Sequence, residues 1–410
     1  MVTKTADANA DSQNGSSGRW EVMAAESIGE IEAIRPVWDR LQCDESHPVP
    51  NADIDKYVSF IEASAGDVRP CVLLLKRDGC PAAMLVAWIE KHRLKFTLGY
   101  KTLFEPALRT LTVVYGGVLG RPDEEACSVL AGEMLRRLRS RDIDVLRFNY
   151  LRTDTIFYRT IRKTRGFGFR GHVSRVDEHW CLALPKGMDE FYRSFSRKRR
   201  YNLRRVVRLF ERDYSDKSVL AQYSTEAEVD EFLHLAAELS SKTYQTALGV
   251  GVAADEQTTT LMKAAARHGW FHSHVLFAGD VPCAFQLGLR YKGVYYMVNM
   301  GHDPAFQSRS PGTVLFFKVL ESLCDDNSVS NLDFYFGDAR YKRQYGTDHW
   351  PEACVYVLAA RPHLILLNML RVSVVYMNAG LKFVVSRIGV GDWIKRKWRN
   401  SLQNAQEEST

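Results

Sequence analysis

The 410 residues contain no apolar run long enough to cross a bilayer, which takes roughly 18 or more uninterrupted apolar positions. They contain no Cys-x-x-Cys pair, and the eight cysteines are scattered. That excludes a disulfide framework and points to buried thiols in a reducing, cytoplasmic compartment. No basic and apolar leader opens the chain. Residues 1–18, MVTKTADANADSQNGSSG, are small and polar, and they read as a disordered leader rather than a signal peptide. No Gly-x-Ser-x-Gly elbow supports a Ser-His-Asp mechanism. His272 and His274 share one face of an expected strand, but a metal site needs at least a third ligand, so no metal is expected. The excess of one sign of charge is small, 55 Lys/Arg against 49 Asp/Glu. A net charge of +6 on this length is too mild for a general binder of polyanions.

The base that is present is concentrated. Residues 193–212, RSFSRKRRYNLRRVVRLFER, hold nine Lys/Arg. Phe191, Phe195, Leu203, Val206, Val207, Phe210 and Tyr214 recur around it at threes and fours, which predicts a helix. Arg193, Arg197, Arg200, Arg204, Arg208 and Arg212 form one stripe away from that apolar face, and a stripe of this kind meets water or an anionic surface. Arg199 and Asn202 fall in line with Phe195 and Leu203. They are assigned to substrate binding, with an internal ion pair as the alternative for Arg199, because a buried guanidinium requires a partner. No aromatic residues interleave with the stripe as a stacking platform requires. Nucleic acid is therefore not expected, with transfer RNA the one form kept open.

The order of elements repeats. Each half is expected to run through antiparallel strands, a glycine-bearing loop, a helix and a further strand. LTVVYGGVLG–helix–VLRFNY in the first half matches VYYMVNMGHDPAFQSRSPG–helix–LDFYFG in the second. The pattern predicts a duplicated α/β unit with a mixed sheet. The Arg77-Asp78-Gly79 stretch marks a hairpin between two apolar runs. HWCLALP is expected to close the first half near residue 185. ACVYVLAA is expected to be the last strand of the second half, and residues 362–400 one or two helices.

In GHDPAFQSRSPGTVLFF, Ser310 stands where an N-cap belongs, Pro311 at the first helical position, and Gly312 and Thr313 follow. A strand, a loop and a helix N-terminus in that order offer backbone N–H groups to a phosphate. Gly312 allows close approach, and Arg309 adds a formal charge. The plain alternative is a capped helix that binds nothing. The first-half helix opens instead with Asp123, Glu124 and Glu125, which would repel a pyrophosphate. Any pyrophosphate ligand is therefore expected in the second half.

Residues 188–350 resemble the second domain of GNAT-fold acyltransferases. The likeness is carried by SRKRRYNLRR, SRSPGTVLF and LDFYFGDARYKRQYG. It is greater to the double-domain branch associated with bacterial exopolysaccharide and cellulose biosynthesis, and more distant to Fem-type aminoacyl transferases. Arg309 and Gly312 match the first two anchors of the family's acyl-CoA loop, and Val314 departs at the third. The resemblance implies two tandem GNAT-like domains with a cleft between them, at 19–185 and 186–360, followed by amphipathic basic helices and tail at 361–410. It implies transfer of an acetyl or longer acyl group from acyl-CoA, without metal, to an amine or hydroxyl of a sugar or other envelope precursor. The rivals are a Fem-like transferase using aminoacyl-tRNA and a non-catalytic scaffold. Asp338, Tyr341, Lys342 and Asp303 are the catalytic candidates: Asp338 or Asp303 as base, Tyr341 as proton donor. Arg309, Ser310, Pro311, Gly312 and Thr313 are the cofactor-binding candidates. The C-terminal segment is expected to dock on the protein, with peripheral attachment to an anionic inner membrane through Trp393, Trp398 and Lys395-Arg396-Lys397 as the alternative.

Overall fold

In the computed structural model, residues 18–43, 45, 47–98, 101–214, 219–242 and 251–388 are described. Contacts divide the chain into two units, one formed by Met1–Glu178 with Trp350–Arg387, the other by His179–His349 with Ile388–Thr410.

The first unit begins with β1 (Trp20–Ala25), followed by α1 (Ile28–Ala33), α2 (Arg35–Cys43) and α3 (Ile54–Ala63). The strands β2 (Val68–Arg77) and β3 (Cys80–Arg93) form the expected hairpin, with Asp78 and Gly79 both at positive φ in the turn. A small hairpin, β4 (Phe96–Leu98) and β5 (Lys101–Phe104), precedes β6 (Ala107–Leu119). Next come α4 (Glu124–Arg139), β7 (Val145–Arg152), α5 (Ile156–Arg162), α6 (Phe167–Arg170) and β8 (Gly171–Val173). The strand order is β1-β2-β3-β6-β7-β15, where β15 is Asp348–Leu358 and carries β8 beside it. Only β6 and β7 run parallel, over Thr110–Val113 and Val145–Phe148.

The second unit contains β9 (Asp177–Ala183), α7 (Met188–Arg193), α8 (Arg197–Tyr214), β10 (Leu220–Tyr223), α9 (Val229–Ser241) and α10 (Glu256–Arg267). It continues with β11 (Ser273–Ala278), β12 (Val281–Tyr291), β13 (Val294–His302), α11 (Pro311–Asp325), β14 (Asn331–Asp333) and α12 (Arg340–Tyr345). Its strand order is β9-β14-β13-β12-β11-β10. Here β13 and β14 are the parallel pair, over Val294–Tyr296 and Asn331–Asp333. The anticipated duplication is real: in both units an antiparallel set leads through a helix into one strand that pairs in parallel.

In each parallel pair, one strand is bulged against its antiparallel neighbour. In β6, four residues, Val114–Gly117, face the single residue Val86 of β3. In β13, Val298 is an extra residue between Met297 and Asn299. Such bulges bend a strand and leave backbone groups outside the ladder. Glycines expected in a turn, Gly116 and Gly117, thus lie inside β6.

The closing strands depart from expectation. HWCLALP, as β9, pairs with β14 and places Leu182 in the core of the second unit. ACVYVLAA lies in β15, which pairs with β7 and places Val355, Val357 and Leu358 in the core of the first. The break in the basic segment is also new: Ser194–Ser196 separates α7 from α8, and Phe191, Leu203 and Phe210 from both are buried together. The helix α13 (Pro362–Ile388) continues the chain and packs Leu364 and Val374 into the first unit. Trp393, Trp398 and Lys395–Lys397 lie outside the described residues.

Candidate functional site

In the second unit, β13 ends at His302, and a short 3-10 turn (Pro304–Arg309) leads to α11. Ser310 joins the two at φ 50. It stands at the expected N-cap position, but its hydroxyl makes no cap hydrogen bond. Its carbonyl instead receives the Thr313 and Val314 amides at 2.9 and 3.2 Å. Pro311 takes the first helical position, and the first turn holds no acid. A Cβ on Gly312 would stand 3.5 Å from His302 Nδ1 and 3.6 Å from Met300 Cε, so this glycine faces the end of β13. Val314 is fully buried in the core. The residue that departs from the loop pattern thus points away from the helix terminus. The Arg309 guanidinium is ion-paired with Asp213 of α8. Arg212 foremost, and Arg309 after it, hold the Asp213 carboxyl below its usual range. Burial lowers the His302 pKa, which keeps its imidazole neutral near pH 7.

The corresponding terminus in the first unit is rich in carboxylates. Asp123 accepts the Ala126 amide at 2.8 Å. Glu124 and Glu125 fill the first turn of α4, and Arg77 stands 3.6 Å from Asp123 and 3.5 Å from Glu125.

On the other side of the parallel pair, β14 leaves the sheet through a tightly held turn. Asp333 is buried, faces His179 Nε2 at 2.9 Å, and accepts the Tyr335 amide at 2.6 Å. Tyr335 has φ 57. Lys342 is buried too, and its ammonium donates to the Tyr335 and Phe336 carbonyls at 3.0 and 2.6 Å. It staples the strand exit to α12. Burial pushes the Tyr341 phenol up to about 12, and its ring meets Phe334 edge-on at 6.0 Å. Tyr345 stacks on Phe316 of α11 at 5.0 Å, which fixes α12 against the helix that carries the loop.

Asp338 and Arg199 share a groove of about 510 Å³ with Arg340, Arg343 and Gln344. Asp338 accepts from Arg343 Nε at 2.7 Å within an ion pair. Arg199 makes no ion pair with a carboxylate among the described residues. Its guanidinium lies 4.5 Å over Phe195 and 5.7 Å over Tyr345, and Nη2 is buried with no acceptor among the described residues. Asn202 is exposed rather than on the apolar face. Asp303 caps its own 3-10 turn through the Ala305 amide at 2.8 Å and stands 3.1 Å from Lys242. The structure therefore groups Asp338, Arg199, Tyr341 and Lys342 around α12, and Asp303 with the loop before α11. His302 and Asp213 were not picked out from sequence. Asp213 lies just past the basic stretch and His302 inside GHDPAFQSRSPG, where no role was assigned to it; the fold brings them to Arg309 and Gly312.

The outer arginines line a second groove, of about 780 Å³, between α7 and α8. Arg193, Arg197, Arg200, Arg204 and Arg208 face it, with Asp189 the acid among its lining residues. Arg204 pairs with Asp189 at 2.8 Å and covers Tyr192 at 4.7 Å.

Residues 197–343 match the family model of the acetyltransferase (GNAT) domain. No curated protein matches the chain. Among solved structures, FemX is similar at 11% identity, covering 83% of this chain and 98% of that one, with a TM-score of 0.51. A conserved protein of unknown function from Bacteroides thetaiotaomicron VPI-5482 is similar at 10% identity, covering 80% and 97%, with a TM-score of 0.50. At such identities the likeness concerns the fold. The residues that match the acetyltransferase (GNAT) domain model lie in the second unit, and the two units share the same order of elements.

Proposed function

We propose that this tandem GNAT-like protein transfers an acyl group, acetyl or longer, from acyl-CoA to an amine or hydroxyl of a sugar or other envelope precursor. The observation that carries the reading is the contrast between the two helix termini. The α11 terminus has no acid in its first turn, no side-chain cap, and a glycine facing the end of β13. The α4 terminus is occupied by its own carboxylates. A pyrophosphate is stabilised by the former and repelled by the latter. Arg309 adds to this site when its pair with Asp213 exchanges for phosphate.

In this reading the acceptor nitrogen or oxygen attacks the thioester carbonyl carbon. The new C–N or C–O bond forms and the C–S bond breaks. The acceptor's proton passes to a base, and the leaving thiolate takes a proton. Tyr341 stays protonated at neutral pH, as a donor to the thiolate requires. His302 stays neutral and can accept a proton directly or through water. Asp338 can act as a base only when its pair with Arg343 opens. The Arg199 nitrogen left without an acceptor suits an oxygen of the acceptor. Lys342 holds the geometry of the strand exit.

The arginine groove of α7 and α8 favours a second reading, a Fem-like transferase whose donor is aminoacyl-tRNA. Calorimetric titration with acetyl-CoA, a long-chain acyl-CoA and aminoacyl-tRNA separates the two. Micromolar binding of a thioester supports the first. Binding of the tRNA alone, weakened by Arg204→Glu/Arg208→Glu, transfers the case to the second.

A further inference from the structure

A helix that is apolar on all sides is normally buried on all sides, and α13 is not. Its inner face is anchored to the first unit. Leu364 and Val374 enter the core, and Asn368 donates to the Phe169 and Gly171 carbonyls at 3.0 and 3.2 Å. Arg371 lies 4.0 Å over the Tyr356 ring, and Asn378 donates to the Thr97 carbonyl at 2.7 Å. The opposite face carries Leu366, Met369, Leu370, Tyr376 and Met377, all exposed, with Leu366 at 68% and Tyr376 at 74%. These positions repeat at threes and fours and form one stripe. The one polar side chain within it, Ser373, returns its hydroxyl to the Met369 carbonyl at 3.0 Å and needs no water. From Pro362 to Gly380 the single Lys/Arg/Asp/Glu is Arg371, which is turned inward. Phe169, whose carbonyl the helix binds, is itself 69% exposed. Contiguous uncharged patches of this kind mark interaction surfaces.

The sequence around the stripe identifies its occupant. Residues 361–399 hold eight Lys/Arg and one Asp, a local excess of seven positive charges against six for the whole chain. In the sequence, Trp393 and Trp398 flank Lys395-Arg396-Lys397. A bare apolar stripe, followed by tryptophan and base in large excess over the one Asp, has the chemistry of a helix lying in the headgroup plane of an anionic bilayer. A second copy of the chain is disfavoured, since it would bring two segments of like charge together. No helix among the described residues is long and apolar enough to cross a membrane. We infer that the outer face of α13 docks on the surface of an anionic lipid bilayer. The inference sharpens the proposed envelope acceptor, but it is scored by vesicle binding, which does not depend on transfer or on the donor.

The test is co-sedimentation of the full chain with vesicles of equal parts phosphatidylglycerol and phosphatidylcholine, beside vesicles of phosphatidylcholine alone. The expected result is binding to the mixed vesicles that falls as salt rises. It should weaken by at least about tenfold in Leu366→Ser/Met369→Ser/Tyr376→Ser, whose exposed positions leave the thermal unfolding midpoint in place. Lys395→Glu/Arg396→Glu/Lys397→Glu should abolish the preference for phosphatidylglycerol. Undiminished sedimentation of the Leu366/Met369/Tyr376 variant would overturn the inference. So would failure of the native chain to sediment with either vesicle, or a concentration-dependent dimer that the same variant dissociates.

Discussion

At the scale of single residues, the informative side chains are those held in unusual electrostatic states by burial. His274 is the sharpest case. Its pKa is pushed down to about 3 by burial, with His272 beside it, and its Nε2 has no hydrogen-bond partner among the described residues. The folded pKa lies below the unfolded one, so the unfolded chain takes the proton first as pH falls. The stability present above the ordinary imidazole range is lost below it. By about pH 5 this difference amounts to about 2 kcal/mol. Denaturant midpoints measured from neutral pH down to about pH 5 should fall accordingly, and His274→Gln should flatten the slope. At this scale Asp338, Tyr341 and Arg199 could be named as candidates by position and type. Asp213 could not, because its partner Arg309 is distant in sequence, and His302 gave no sign of its approach to Gly312. The exposure of Asn202 shows the limit of helical spacing, which gives a side chain's direction but not where the neighbouring helix stops covering it.

At the scale of elements, the bulged strands of the two parallel pairs matter most. In β6, Gly116 has φ 70, and a Cβ there would stand 2.4 Å from Val49 Cγ2. Strain and overlap then act together. Gly116→Ala should cost about 2 kcal/mol in chemical denaturation, and Val49→Ala in the same chain should return part of it. The hairpin around Asp78-Gly79, the helical basic segment and the repeated order of elements were all readable from periodicity and turn chemistry. The bulges were not. A glycine pair at the end of an apolar run looks the same whether it turns the chain or kinks a continuing strand, and tertiary contact decides between them. The same holds for the α11 terminus, where Ser310 was recognisable as a capping residue but adopts a left-handed conformation and leaves its hydroxyl out of the cap.

At the scale of the whole molecule, the two closing strands cross the boundaries expected from sequence. HWCLALP and ACVYVLAA are both short apolar strands, and nothing in their composition says which neighbour each will pair with. Here β9 serves the second unit and β15 the first. A fragment of residues 19–185 lacks β15 and the Val355, Val357, Leu358 and Leu364 that complete its core. It should therefore be insoluble or molten by near-ultraviolet circular dichroism. Fusing residues 350–387 to a fragment ending at residue 178 should restore cooperative unfolding. The two units also differ at their equivalent helix termini: the first turn of α4 holds Glu124 and Glu125, and that of α11 holds no acid. The most direct test is calorimetric titration of acetyl-CoA into three proteins: the native chain, Gly312→Glu, and Asp123→Ala/Glu124→Ala/Glu125→Ala. The account predicts that Gly312→Glu abolishes binding and that the triple alanine variant leaves it unchanged. Binding retained in Gly312→Glu, or lost in the triple alanine variant while it remains folded, would contradict it.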